Sequence, residues 1–119
     1  MFSEILERIV TETDGGLDAV LMGYDGIAID QFCLPGEQAD LQLVAIEYAN
    51  VLKEIRKTTE ILDIGDMEEV AIKTERYQVV VRIITTEYFV AMTLRRNGNF
   101  GKARYLLTRE AGNLLAALS

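Results

Sequence analysis

Histidine and tryptophan are absent from this chain of 119 residues, and cysteine occurs once. Without histidine the protein cannot form the Ser-His or Cys-His pairs of common hydrolases, and it lacks the commonest zinc ligand. The single cysteine, Cys33, excludes an intramolecular disulfide, which is typical of a reducing compartment. The acidic residues are scattered and do not follow the spacing of a calcium loop. We therefore expect no catalytic residues, no metal site and no cofactor.

Long apolar runs are absent as well. No run approaches the roughly 20 residues that a membrane-spanning helix needs, and the first four residues lack the basic and apolar regions of a signal peptide. We therefore expect a cytoplasmic protein without direct membrane insertion. Half of the residues are apolar and the length suits one globular unit, so we assign residues 1–119 to a single domain.

Basic residues are scarce in the first half of the chain. Residues 1–52 contain ten acidic residues and one basic residue, Arg8, for a net charge of −9, whereas residues 53–119 have a net charge of +2. Binding to a phosphate backbone needs clustered lysine and arginine. We therefore expect no nucleic-acid partner, and a solvated acidic surface is the simplest interpretation of the first half.

The first third of the sequence predicts a helix and a hairpin. Apolar residues recur at helical spacing over residues 2–10, with Ser3 as the expected N-cap. Residues 17–24 and 27–32 then flank Asp25-Gly26, a dipeptide that favours a two-residue type I′ turn with positive φ at both positions. We therefore expect a β-hairpin over these two segments.

Residues 38–61 predict a long amphipathic helix, because apolar residues share one broad arc of the helical wheel. The residues expected to face the core are Leu41, Val44, Ala45, Tyr48, Val51, Leu52 and Ile55. Leu43 and Ile46 lie outside that arc, on the polar side with Asn50 and Lys53. These two aliphatic residues are either ordinary surface scatter or part of a binding surface, and the pattern favours neither.

Three strands and a helix complete the pattern. Residues 66–74 alternate weakly, with Val70 and Ile72 on one side, as in a charged edge strand. Residues 77–84 and 88–94 are nearly continuous apolar runs, which imply helices on both faces of the sheet. The element order is therefore α-β-β-α-β-β-β-α, an α/β (α+β) domain in three layers with two helices sharing one face.

The junction before the last helix, Gly98-Asn99-Phe100-Gly101-Lys102, superficially resembles a phosphate-binding loop. A P-loop needs a first glycine and, after its lysine, a hydroxyl residue. Here Arg96 occupies the position of the first glycine and Ala103 that of the hydroxyl residue, so we do not expect nucleotide binding. The alternative is architectural, with a turn at Asn97-Gly98 and close packing at Gly101.

Several charged residues of the second half have structural interpretations. Arg82 lies within an apolar strand, where an ion pair is the expected way to hold its charge. Glu68 and Glu69 are strand neighbours whose side chains point to opposite faces, and we expect both to be solvated. Arg95 and Arg96 allow two interpretations, an arginine finger for a GTPase or solvated residues at a strand end.

The Asp25-Gly26 hairpin, the long central helix and the junction over residues 98–104 together resemble the roadblock/LC7 family, and within it the bacterial MglB group, over essentially the whole chain. The resemblance implies a profilin-like or longin-like domain with a five-stranded, mainly antiparallel sheet. It also implies a homodimer whose third strands pair antiparallel into one ten-stranded sheet, with the central helices side by side. The candidate dimer-interface residues are Glu68, Glu69, Ala71 and Lys73.

The same resemblance implies a function without chemistry of its own. Such a protein binds a small Ras-like GTPase of the MglA type and modulates its GTP hydrolysis by reshaping it, without inserting an arginine. The candidate partner-binding residues are Leu43, Ile46, Asn50 and Lys53. The alternative is a passive dimeric scaffold or light-chain-type assembly module that has no effect on nucleotide turnover.

Overall fold

The eight elements of the protein follow the predicted order in a computed structural model that describes residues 2–36 and 41–119. The elements are α1 (Phe2–Glu12), β1 (Gly16–Gly23), β2 (Ala28–Cys33), α2 (Leu41–Leu62), β3 (Glu69–Lys73), β4 (Tyr77–Ile83), β5 (Tyr88–Arg95) and α3 (Phe100–Leu118). The first three residues of the predicted helix 38–61, and the predicted core positions of Leu41 and Ala45, lie outside what the structure describes.

The five strands form one antiparallel sheet in the order β2-β1-β5-β4-β3. Helices α1 and α3 pack together on one face, hereafter the α1/α3 face, and α2 packs on the other, the α2 face. Because both faces are covered, β1 is buried along its whole length. The predicted class, three layers and shared helical face are confirmed.

Alternation along β4 divides its side chains between two cores. Val80 belongs to the core under α1 and α3, whereas Val79 and Val81 belong to the core under α2. Because directly opposed residues share a face, Val70 and Ile72 of β3 pack on the α2 face, as their sequence pattern predicts. The remaining residues of β3 therefore point to the α1/α3 face.

The hairpin between β1 and β2 is confirmed, but the predicted type I′ turn is wrong. Gly26 has φ +83°, whereas positive φ among the described non-glycine residues occurs at Asp63 and not at Asp25. The Gly26 amide donates to Gly23 O at 3.0 Å, and the Gly23 amide donates to Ile27 O at 3.0 Å. This pattern is a three-residue loop in which Gly26 takes the left-handed position of a bulge.

Two predictions about the helices are also wrong. Helix α1 begins at Phe2, so Ser3 lies inside its first turn and is not the N-cap. In α2, Val51 is 44 % exposed, while Ala49 and Leu52 are buried at 1 %. The core arc of α2 is therefore narrower than the predicted arc and is centred on Ala49 and Leu52.

The α1–β1 turn and the β5–α3 junction meet at two glycines. A β-carbon at Gly15, whose φ is +83°, would lie 2.5 Å from Gly98 Cα, so the two backbones touch where a side chain would stand. The Asn99 amide donates to Asp14 O at 2.8 Å, and the Arg95 amide donates to Gly15 O at 2.8 Å. The predicted close packing at Gly101 is wrong, because the nearest atom to a β-carbon there would be 3.8 Å away.

The buried side-chain amide of Gln78 contacts the same junction. The Gln78 side chain is 3 % exposed, and its Nε2 donates to Arg96 O at 3.0 Å, with longer contacts to Arg95 O at 3.3 Å and Gly98 O at 3.4 Å. Arg95 O and Gly98 O also accept from the amides of Gly98 and Phe100, at 2.9 and 3.0 Å. Gln78 therefore adds to the hydrogen bonds of this turn and supplies a donor to Arg96 O.

We expect Gly15→Ala to destabilise the protein more than Gly65→Ala. Both glycines have positive φ, at +83° and +97°, but nothing lies within 4 Å of a β-carbon at Gly65. Gly65→Ala should therefore cost only the left-handed strain of about 1–2 kcal/mol, and Gly15→Ala should cost about 1–3 kcal/mol more through overpacking. Urea unfolding monitored by circular dichroism measures both, and equal losses would contradict the close contact.

A buried carboxylate joins the two helices of the α1/α3 face. The Glu110 side chain is 4 % exposed and accepts from Arg8 at 2.9 Å across the helix pair. Arg109 and Asn113 of α3 also donate to it, at 3.0 and 2.9 Å. Burial alone would raise the pKa of Glu110, but the hydrogen bonds from Asn113, Arg8 and Arg109 outweigh burial and lower that pKa below its ordinary value of 4.5.

We expect Glu110→Gln to destabilise the protein by about 1–3 kcal/mol at pH 7, because a charged acceptor of three hydrogen bonds is lost. Since the folded pKa is lowered, the unfolded chain binds the proton first, and the contribution of Glu110 is lost as the pH falls below 4.5. Denaturant unfolding at pH 7 and pH 3 should show the difference from wild type shrinking in acid. A constant difference, or an equal loss in the exposed control Glu7→Gln, would contradict this role.

Candidate functional site

The outer side of α2 carries the four residues predicted to bind a partner. Leu43, Ile46, Asn50 and Lys53 are spaced three or four residues apart, so they form one stripe along the helix. Leu43 is 55 % and Ile46 43 % exposed, and Asn50 and Lys53 are exposed too. A β-carbon at Gly26 would lie 3.5 Å from Ile46 Cγ1, so the stripe begins beside the β1–β2 turn. We call these four residues the α2 stripe.

Strand β3 leaves one edge of the sheet open within the described part of the chain. The Ile83 amide donates to Glu68 O at 3.0 Å, and the Thr74 amide donates to Tyr77 O at 2.9 Å, which fixes the alternation of the β3–β4 ladder. The residues whose backbone groups point to the open edge are Glu69, Ala71 and Lys73. Of the four candidate interface residues, Glu68 alone directs its backbone carbonyl towards β4.

The prediction that Glu69 is solvated is wrong. The Arg104 side chain of α3 forms an ion pair with Glu69, with Nη2 at 2.9 Å from Oε2 and Nε donating to both carboxylate oxygens. The Glu69 side chain is 22 % exposed, and its hydrogen bonds and charge raise the pKa of Arg104. This bidentate contact links the edge strand to α3 and fixes the side-chain direction of Glu69.

The expected ion pair of Arg82 is not found among the described residues. Glu69 stands directly opposite Arg82 on β3, but its carboxylate is bound by Arg104. The Arg82 Nε atom is buried without a hydrogen-bond partner in the described chain. Arg82 instead lines a cleft of about 330 Å³ between β3 and α3, together with Tyr105 and Thr108.

A cleft of about 450 Å³ lies between the C-terminal half of α2, the β4–β5 turn and the segment before β3; we call it the α2 cleft. The Arg56 guanidinium covers the Tyr24 ring at 3.8 Å and donates to Thr86 O at 2.8 Å. Glu60 and Asp66 also line this cleft, and neither forms an ion pair within the described chain. The α2 cleft therefore carries two carboxylates without an ion pair and one arginine, whose contacts are to neutral groups.

Tyr24 is the buried wall of the α2 cleft. It is 8 % exposed, and its hydroxyl has no hydrogen-bond partner among the described residues. Its ring also meets Phe89 edge to face, with centroids 5.1 Å apart. Burial raises the pKa of Tyr24, although the charge of Arg56 acts in the opposite direction.

The junction before α3 uses its amide groups internally. The Asn99 side chain caps α3 by accepting from the Lys102 amide at 3.0 Å, and the amides of Gly98, Asn99 and Phe100 donate to carbonyl groups of the chain. A phosphate would have to displace these contacts, so the geometry agrees with the architectural interpretation of the junction. Arg104, a basic residue near the junction, is likewise held against the sheet by its bidentate contact with Glu69.

The described ranges, 2–36 and 41–119, contain no group of three or more His, Cys, Asp or Glu residues placed to hold a metal ion. No helix within them has the length and apolar character needed to cross a membrane.

The α2 cleft and the Glu69–Arg104 pair were not predicted from the sequence. Both depend on contacts between residues that are 30 or more positions apart, such as Arg56 with Thr86 and Glu69 with Arg104. The sequence contained one indication of the pair. Strand alternation places Glu69, together with Ala71 and Lys73, on the face of β3 opposite to Val70 and Ile72. The sequence offered no comparable signal for Tyr24, which appeared as an ordinary strand-end residue.

Solved structures share this fold. The crystal structure of MglC from Myxococcus xanthus is 36 % identical, covers 98 % of each chain and has a TM-score of 0.71. A structure of MglB with tetrameric arrangement is 19 % identical over 95 % of this chain and 84 % of that chain, with a TM-score of 0.87. A roadblock/LC7 domain from Streptomyces avermitilis is 15 % identical over 98 % and 96 % of the two chains, with a TM-score of 0.88.

No family model matches the sequence, and no curated protein matches it. The likenesses below 25 % identity concern the fold alone, whereas the identity to MglC extends over nearly the whole of both chains. With its five-stranded antiparallel sheet and three helices in the predicted order, the protein belongs to the roadblock/LC7 family, in which it is similar to MglC over nearly the whole chain.

Proposed function

We propose that the protein is a non-enzymatic dimeric adaptor that binds a small Ras-like GTPase of the MglA type and modulates its GTP hydrolysis. The observation that carries this proposal is the α2 stripe, whose side chains are exposed together on a helix that buries its opposite side against the sheet. Membership of the roadblock/LC7 family and the likeness to MglC and MglB support a regulatory role.

The α2 stripe has the composition of a small protein–protein interface. Leu43 and Ile46 supply apolar area at one end, and Asn50 and Lys53 supply hydrogen-bond donors and one positive charge at the other. Interfaces commonly combine an apolar centre with a polar rim in this way. A partner that presents an apolar pocket beside a carboxylate would match both parts of the stripe.

Regulation by this surface would act through binding and not through a donated catalytic group. The chain contains no histidine, and Arg104 is held by Glu69 on the other face of the sheet. The stripe itself contains Lys53 but no arginine. Any change in GTP hydrolysis would therefore come from the conformation that binding favours in the GTPase.

The alternative, a passive assembly module, is favoured by a different observation, the open edge of β3. An edge strand with outward backbone groups supports assembly whatever the α2 stripe does. The two functions differ in one measurable respect. A regulator changes the rate of GTP hydrolysis when it binds, whereas a passive scaffold binds a partner and leaves that rate unchanged.

We expect Ile46→Glu to weaken binding of the MglA-type GTPase of the same organism at least tenfold, because it places a charge in the apolar end of the stripe. The matched control is Leu115→Glu on α3, where the side chain is 46 % exposed, close to the 43 % of Ile46. Calorimetry gives the dissociation constant, and phosphate release gives the hydrolysis rate. No binding by the wild-type protein would contradict the proposal, and binding without a change in rate would favour the passive scaffold.

We further propose that two copies pair antiparallel through β3, with Ala71 at the two-fold axis. This register pairs all three outward-facing residues of each strand, and it places Glu69 opposite Lys73 of the partner subunit. Opposite charges across the axis would favour this register over its neighbours. The ten-stranded sheet that results would cover both open β3 edges.

We expect Ala71→Cys to form a disulfide-linked dimer, because residues paired at the axis have Cα atoms about 5.5 Å apart, within the range of disulfides. The experiment uses a Cys33→Ser background and the exposed control Ala116→Cys on α3. After mild oxidation, non-reducing electrophoresis should show a dimer for Ala71→Cys only. Equal cross-linking of the two variants, or a monomeric wild type in light scattering at micromolar concentration, would exclude this interface.

A further inference from the structure

Charge is ordered along the segment that includes β3. Its N-terminal side carries Asp66, Glu68 and Glu69, and its C-terminal side carries Lys73 and Arg76, with one opposing charge at Glu75. An antiparallel pair related by a two-fold axis brings the N-terminal side of each copy beside the C-terminal side of the other. The segment is therefore largely complementary in charge to a second copy of itself.

The register decides which charges meet. With Ala71 on the axis, Glu69 faces Lys73 of the partner subunit, and Asp66 faces Arg76 of the partner subunit. An axis at Ile72 would instead place Glu69 opposite Glu75 of the partner subunit, and like charges directly opposed are destabilising. An axis at Val70 would leave Lys73 beyond the paired part of the strand. The Ala71 register thus combines the most ladder hydrogen bonds with the most favourable pairs.

Arg76 is available for such a contact. It lies in the short turn between β3 and β4, where the Thr74 amide donates to Tyr77 O at 2.9 Å. Its side chain is exposed and forms no ion pair within the described chain. A charged side chain at the tip of a two-residue turn can leave its own sheet and reach a neighbouring strand.

With Ala71 on the axis, Arg76 of the partner subunit would lie beside Asp66, at the α2 cleft. Asp66 lines the cleft together with Glu60, and both carboxylates lack an ion pair within the described chain. The arginine already in the cleft, Arg56, contacts Thr86 O and the Tyr24 ring and forms no ion pair with either carboxylate, so the cleft has one more negative than positive charge. A volume of about 450 Å³ leaves ample space for a guanidinium group.

We infer that Arg76 of each copy docks in the α2 cleft of the other copy, with Asp66 as its direct carboxylate partner and Glu60 beside it. This inference rests on the dimer of the proposed function, and it adds a site that a single copy cannot complete. Planar guanidinium groups suit carboxylate partners because they offer several donors in a fixed fork. Two such contacts per dimer would lie outside the strand ladder, next to the C-terminal half of each α2 helix.

The test is a charge exchange measured on the full chain. Arg76→Glu and Asp66→Arg should each raise the dissociation constant of the dimer at least tenfold in sedimentation equilibrium. The combined variant, Arg76→Glu with Asp66→Arg, should dimerise at least fivefold more tightly than either single variant, because the opposite charges meet again. The charge-matched control is Arg96→Glu, an exposed arginine after β5 that is separated from the β3 edge by β4 and is paired with no partner residue in this register; it should change the constant less than threefold.

The outcomes separate this inference from the dimer itself. If the wild type dimerises and Ala71→Cys cross-links, but Arg76→Glu behaves like Arg96→Glu or the exchange gives no recovery, the docking of Arg76 is wrong and the β3 dimer stands. If the wild type is monomeric, both are wrong. Thermal melts followed by circular dichroism show whether each variant is folded, and all four substitutions are at exposed positions.

Discussion

The contact between Gly15 and Gly98 is the constraint on which the arrangement of the α1/α3 face depends. Their backbones approach closely enough that a β-carbon at Gly15 would lie 2.5 Å from Gly98 Cα. The turn after α1 and the turn before α3 are thereby fixed to each other, and so are the two helices. Once these helices occupy one face together, Glu110 of α3 meets Arg8 of α1, and the buried ion pair follows from that placement.

The same arrangement leaves α2 alone on the other face of the sheet. A single helix buries one narrow arc, centred on Ala49 and Leu52, and exposes the rest of its circumference. The α2 stripe and the exposed Val51 both follow from this geometry. At the edge of the sheet, β3 pairs only with β4 in the described chain, and Arg104 orients Glu69 towards the α1/α3 face. The proposed working surfaces are thus the parts that three helices cannot cover.

Periodicity and turn residues were sufficient to predict the element order and a sheet with helices on both faces, because both depend on which residues are apolar, but they did not identify which two helices share a face. Details that depend on local backbone geometry could not be predicted as well from the sequence. Asp25-Gly26 is compatible with a two-residue turn and with a bulged three-residue loop, and only the hydrogen bonds of Gly23 distinguish them. Gly101 and Gly98 likewise look equivalent in the sequence, although only Gly98 meets another backbone.

Predictions for charged residues were the least accurate, for a physical reason. An ion pair depends on which side chains meet across the tertiary structure, and Glu69 had two candidate arginines, Arg82 opposite on the sheet and Arg104 on α3. Whether Glu69 pairs with Arg82 or with Arg104 depends on how α3 packs against β3, and the sequence pattern does not predict that packing. The exposure of the four candidate residues of α2 was easier to predict, because exposure on a helix follows from the same periodicity as burial.

The position of Tyr24 also gives the protein an optical property. The chain has no tryptophan and five tyrosines, and Tyr24 is the most buried of these, held between Phe89 and Arg56. An aromatic ring in a fixed asymmetric environment contributes strongly to near-ultraviolet circular dichroism, which is lost when packing loosens. The protein therefore contains its own spectroscopic reporter at the wall of the α2 cleft, without any need for a label.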